Sequence, residues 1–159
     1  MDLYEDLILQ YLTKDAHMFV NPQYSIEGDP GTEWSCPDFV ALDFREKRVS
    51  IVEVSSASHP KSLLDRVKNR DEQWIQRLRN QLQRNGVVDQ SWKDYRVELF
   101  IRQQAVDQFQ NLKDAQDVVI HVLEDLGAPW NWRRSYVPGD LGSGATGGTT
   151  SHTNPHTIE

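Results

Sequence analysis

A chain of 159 residues with 38% hydrophobic content can bury one core without staples. Its single cysteine, Cys36, excludes an intramolecular disulfide framework and a CxxC metal site. A net charge of −7 argues against a general-purpose nucleic-acid binder, and no apolar run approaches a membrane span. The acidic N-terminus does not read as a signal peptide, so a soluble, cytoplasmic protein is expected.

Residues 2–12 carry Leu3, Tyr4, Leu7, Ile8, Tyr11 and Leu12 at helical spacing, with Glu5 at the edge of that stripe. His17–Val20 predicts a short first strand, and Asn21-Pro22 and residues 27–31 are turn material. Two segments rich in β-branched and aromatic residues follow, Phe39–Phe44 and Val49–Val54, joined by Arg45-Glu46-Lys47-Arg48. A four-residue link suits a hairpin. Pairing Phe44 with Val49 sets Asp38 opposite Ser55 and Val40 opposite Glu53. Asp38, Glu53 and Ser55 then share one face, because side chains alternate along a strand. Two carboxylates on adjacent strand ends can share a hard divalent cation.

Residues 61–84 predict one helix, with Leu63, Leu64, Val67, Trp74, Ile75, Leu78 and Leu82 as its apolar stripe. It carries seven basic against three acidic residues, net positive in an acidic chain. Arg66, Arg70, Gln73 and Arg77 fall on one flank and form a row able to track phosphates, or an ordinary solvated face. The helical wheel places Asp71 inside the apolar stripe. Tyr95–Arg102 alternates as a strand, Ala105–Leu112 suggests a short amphipathic helix, and Val118–Leu123 reads as a buried strand. Trp130, Trp132, Arg133, Arg134 and Tyr136 form either an aromatic strap or a surface that stacks on bases. From residue 138 the Gly/Ser/Thr-rich sequence is expected to be a disordered tail, leaving a single domain over 1–137. His152 and His156 lie in that tail and are assigned no role.

Pro37-Asp38, Glu53-Val54 and the order of elements resemble the PD-(D/E)xK nuclease superfamily over residues 1–102. The resemblance implies an α/β, restriction-endonuclease-like core: helix, three-stranded meander, helix, strand, with a mixed central sheet flanked by helices. It also implies a magnesium- or manganese-dependent nuclease, acting on nucleic acid with DNA as the expected substrate. By that analogy Asp38, Glu53, the Val54 carbonyl and Glu5 are the metal ligands. Ser55 stands where the family has lysine, so Lys61, Arg66 or Lys68 from the following helix is expected to supply the missing cation. Asp38, Glu53, Ser55 and Lys61 are then the catalytic set, and Arg66, Arg70 and Arg77 the nucleic-acid contacts. A nuclease-fold protein that binds nucleic acid or a protein partner without cutting is the alternative. A homo-oligomer or a targeting partner is compatible with either, and an unrelated α/β structural protein is the third possibility.

Overall fold

Hydrophobic alternation in the strands and amphipathic spacing in the helices produce two apolar layers, one on each face of a single sheet. The computed structural model describes residues 3–126. Along the chain run α1 (Leu3–Thr13), β1 (Met18–Pro22), β2 (Phe39–Asp43), β3 (Arg48–Ser55), α2 (Lys61–Lys68), a π-helical turn (Asp71–Ile75) and α3 (Gln76–Arg84). Next come β4 (Asp94–Ile101), a 3₁₀ helix (Gln103–Leu112), β5 (Val118–Val122) and α4 (Leu123–Leu126). The strands form one mixed sheet in the order β1-β2-β3-β4-β5; β1 to β3 are an antiparallel meander, and β4 and β5 are added in parallel. This is an α/β fold with helices flanking a five-stranded sheet. Among the described residues no helix is long and apolar enough to cross a membrane.

One face packs Val40, Val49, Ile51, Val97 and Leu99 against Leu63, Val67, Trp74 and Leu78 of the α2–α3 layer. The other packs Phe39, Ala41, Val52 and Phe100 against Ile8 and Leu12 of α1 and Leu123 of α4. β3 and β4 therefore lie in the middle with both faces covered.

The hairpin differs from expectation by two residues of register. Leu42, not Phe44, pairs with Val49, and Asp43 pairs with Arg48. Asp43 is responsible: its Oδ1 accepts from the N–H groups of Arg45 and Glu46 at 2.9 and 3.0 Å, and Lys47 takes a positive φ of 51°. An Asp bonding its own backbone makes a turn that starts one residue earlier than the charged run suggests. A two-residue shift preserves which side chains share a face. The next position beyond the Phe39–Val52 pair then sets Asp38 beside Glu53, rather than opposite Ser55.

The long helix is also not uniform. The π turn inserts an extra residue per turn, so the face read from a straight wheel is rotated beyond it. Asp71 consequently lies exposed, accepting from Gln76 Nε2, while Trp74 and Ile75 turn inward. The first strand starts at Met18 rather than His17, and Leu123 opens α4 instead of ending β5. Residues 103–112 coil as a 3₁₀ helix with Ala105 and Phe109 buried.

The turn-rich segment before β2 is pinned to α3. Ile26 and Ser35 bridge across it, and buried Gln81 accepts from the Glu27 N–H at 2.9 Å and donates to the Ser25 carbonyl at 3.0 Å. Trp74 Nε1 donates to Ser35 Oγ at 2.6 Å. Within this loop a side chain at Gly28 would stand 2.6 Å from the Glu33 carbonyl, so only glycine fits there. Gln81→Leu strands the Glu27 N–H and the Ser25 carbonyl; it is expected to cost about 1–3 kcal/mol, read by urea unfolding. Unchanged stability would mean the loop is not held from α3.

Candidate functional site

The sheet brings Asp38 and Glu53 together because a proline-led segment meets the end of β3. Asp38 sits one residue before β2, and its Oδ2 accepts from the Val54 N–H at 2.6 Å. Its carboxylate thus takes the ladder position that β2 backbone would otherwise fill. A strand residue's N–H and C=O point to the same side, so the Val54 carbonyl also projects toward Asp38. The Asp38 carbonyl in turn accepts from Gln23 N–H at 2.8 Å, fixing this corner against the end of β1.

Glu53 is only 4% exposed, on the face packed by α2. Arg66, one turn and a half into that helix, reaches it with both ends of the guanidinium: Nη1 to Oε1 at 3.1 Å and Nη2 to Oε2 at 3.2 Å. Burial raises the Glu53 carboxyl; Arg66 opposes this, nearby Asp38 adds to it, and the result is a pKa of about 8. A buried acid with a shifted pKa and a specific charge partner is a feature concentrated at functional sites.

Ser55 shares the Glu53 face, but its Oγ accepts from Ala57 N–H at 3.3 Å and shapes the exit from β3. Lys61 and Lys68 are exposed, so of the three cations named for the vacant lysine position it is Arg66 that engages Glu53. Glu5 from α1 and Asp38 line a common recess of about 140 Å³, closed by Pro22, Gln23 and Phe39. Among the described residues no three His, Cys, Asp or Glu side chains converge as a metal cluster.

The basic row is bound up with carboxylates of its own chain. Arg70 makes a forked pair with Asp117, Nε to Oδ2 and Nη2 to Oδ1, both at 2.7 Å. Arg77 Nη2 lies 3.2 Å from Asp29 Oδ2. Arg66, Arg70 and Arg77 are therefore not an unpaired stripe of positive charge. Trp130–Tyr136, His152 and His156 lie outside the described residues.

No family model, curated protein or solved structure matches this chain. The site therefore rests on its own geometry.

A second polar cluster lies on the α1 face of the sheet. Glu98 of β4 is 6% exposed and accepts from Ser50 Oγ at 2.7 Å and from Arg96 Nη2 at 2.8 Å on Oε1. His121 Nε2 lies 2.9 Å from its Oε2. The His121 ring stacks on Phe100 at 4.4 Å, and Tyr11 meets both edge-on. Burial alone would raise the Glu98 carboxyl, but the His121 hydrogen bond, the Arg96 charge and the Ser50 hydrogen bond pull it down to about 2. In sequence, Arg96 and Glu98 read as the polar half of an alternating strand.

Proposed function

We propose that the chain is a metal-dependent nuclease of the PD-(D/E)xK type that hydrolyses phosphodiester bonds, with DNA as the expected substrate. One observation carries the reading: Asp38 and Glu53 meet at the end of the β2–β3 hairpin, with the Arg66 guanidinium on Glu53. The order of α1, an antiparallel meander, the α2–α3 layer and parallel β4 supports a restriction-endonuclease-like core.

The donor set suits magnesium or manganese, which keep several waters and need only one or two carboxylates. Asp38, Glu53 and the Val54 carbonyl would hold the ion, with Glu5 at the neighbouring recess. Such an ion supplies an activated water near neutral pH and offsets charge developing on phosphate. A guanidinium is a poor proton acceptor, so the part of Arg66 is to steady the phosphate charge. Asp38 orients the Val54 backbone and Ser55 sets the path of the chain into α2.

A second reading has its own support. Both Glu53 oxygens accept from Arg66, so an incoming ion must share or displace that pair. A nuclease-fold binder that does not cut would keep the pair as it stands.

Labelled single-stranded, double-stranded and branched DNA, incubated with magnesium or manganese, separate the two. Metal-dependent cleavage is expected in wild type. In Asp38→Ala it should fall by more than the roughly 10–100-fold typical of losing a group that merely supports a metal ligand. Binding without cleavage in both proteins favours the non-cutting reading. Equal cleavage in both removes Asp38 from the site.

A further inference from the structure

Beside Arg66 the molecule has a recess of about 450 Å³ between the pinned loop and the helical layer. Trp34 and Cys36 line one wall; Arg66, Gln73 and Arg77 line the other. Its volume lies within the range of about 300–1,000 Å³ found for small-ligand sites. Trp34 is 65% exposed, whereas Trp74 and Trp92 are buried. It is held on a fixed wall: the neighbouring Ser35 is bridged to Ile26 and accepts from Trp74 Nε1. A large aromatic presented to solvent on a pinned loop is placed to meet something flat.

The opposite wall supplies two positive side chains, Arg66 and Arg77. Arg66 is committed to Glu53 through both guanidinium nitrogens. Among the described residues Arg77 pairs with Asp29, whose side chain is itself mostly exposed. An ion pair whose acid lies largely in solvent is weakened by screening, so an incoming phosphate can compete for Arg77. Glu33 also lines the recess and works against anions. That acid disfavours the dianionic phosphate of a free mononucleotide more than the singly charged phosphodiester of a strand.

We propose that this recess is a nucleotide subsite: it holds one unpaired base of a nucleic-acid strand against the Trp34 indole, with a flanking phosphodiester at Arg77. The subsite deepens the nuclease reading by naming single-stranded or locally unpaired nucleic acid as the substrate, and it rests on that reading for its link to cleavage. Stacking on an aromatic ring tolerates any base, so recognition needs no sequence-reading element. A fully paired duplex keeps its bases stacked inside and cannot use Trp34 in this way.

Binding is measured by fluorescence anisotropy on the full chain with labelled twelve-nucleotide oligothymidylate and oligouridylate, in chelator so that no cleavage intervenes. Wild type is expected to bind at least one strand more tightly than the matching duplex, with the two sugars distinguishing DNA from RNA. Trp34→Ala should weaken strand binding about tenfold, and Trp34→Phe should restore most of it. Arg77→Gln should reduce the salt dependence by about one phosphate contact. Trp34 is exposed and outside both cores, and circular dichroism checks that each variant stays folded. Strand affinity unchanged in Trp34→Ala, or no strand binding by wild type, overturns the subsite. Metal assays fail independently: Trp34-dependent binding without cleavage removes only the nuclease activity, and cleavage without a Trp34 effect removes only the subsite.

Discussion

Glu53→Gln is expected to stabilise the metal-free protein by about 4 kcal/mol at pH 8 and to change little near pH 4. The folded Glu53 carboxyl is raised from its ordinary 4.5 to about 8, with burial as the largest cause. Between those values the native state holds a proton that the unfolded chain has released, so wild-type stability falls as pH rises. Each pH unit costs about 1.4 kcal/mol in that window. Glutamine has no proton to lose and can still receive a hydrogen bond from Arg66, so its pH profile should be flatter across the same range. On the proposed metal-site reading, magnesium favours the ionised carboxylate, so a magnesium-dependent stabilisation of wild type should grow from pH 6 to pH 8 and vanish in Glu53→Gln. Urea unfolding at three pH values, with metal and with chelator, measures both effects. Parallel pH profiles for the two proteins would show that the Glu53 carboxyl is not raised by burial.

Much of the fold was readable because β-branched runs and amphipathic spacing mark elements by local physics. The placement of Asp38 and Glu53 on one face of the hairpin survived a wrong register, since a two-residue slip does not exchange faces. What the residues could not convey was nonlocal or depended on one side chain's choice. Asp43 turned the chain early through its own backbone hydrogen bonds. The π turn rotated the helix beneath Asp71, and no 3.6-residue wheel contains such a turn. Arg66 was one of three cations on the following helix expected to stand in for the lysine of the resembling family. The packing of α2 against β3 selected it, because Lys61 and Lys68 point to solvent. Charge counting likewise found the basic flank but not its partners: Asp117 lies 47 residues from Arg70, and Asp29 lies 48 from Arg77. Trp34 was missed because a single aromatic in a turn-rich segment has no periodicity; its meaning comes from the wall that holds it.

The opposite response is expected at Glu98, one strand away and on the other face. Val52 and Glu98 are register partners, as are Glu53 and Leu99, so the two buried acids sit close in the sheet yet face different layers. Alternation in β4 suggested a solvated side for Arg96 and Glu98. Because β4 is central and α1 covers that face, the carboxylate is buried, and its charge is matched by Arg96, Ser50 and His121. Its folded carboxyl is held at about 2, below its ordinary 4.5, so its contribution is present above pH 4.5 and is lost as pH falls toward 2. That window is worth about 3 kcal/mol. Glu98→Ala removes the acceptor shared by three donors and leaves the Arg96 charge unmatched, so a loss of about 3–5 kcal/mol at pH 7 is expected. Glu98→Gln keeps an acceptor for Ser50 and Arg96 and should lose less. Urea unfolding of both variants at pH 7 and pH 3 reads the ordering; equal stability of wild type and Glu98→Ala would remove the cluster as a structural element. Taken together the two substitutions separate roles that burial alone does not. An acid whose removal strengthens the fold carries a burial cost that packing does not explain, which is the response the metal-site proposal requires of Glu53. An acid whose removal weakens the fold, with all its partners satisfied, is explained by packing, which makes Glu98 part of the scaffold.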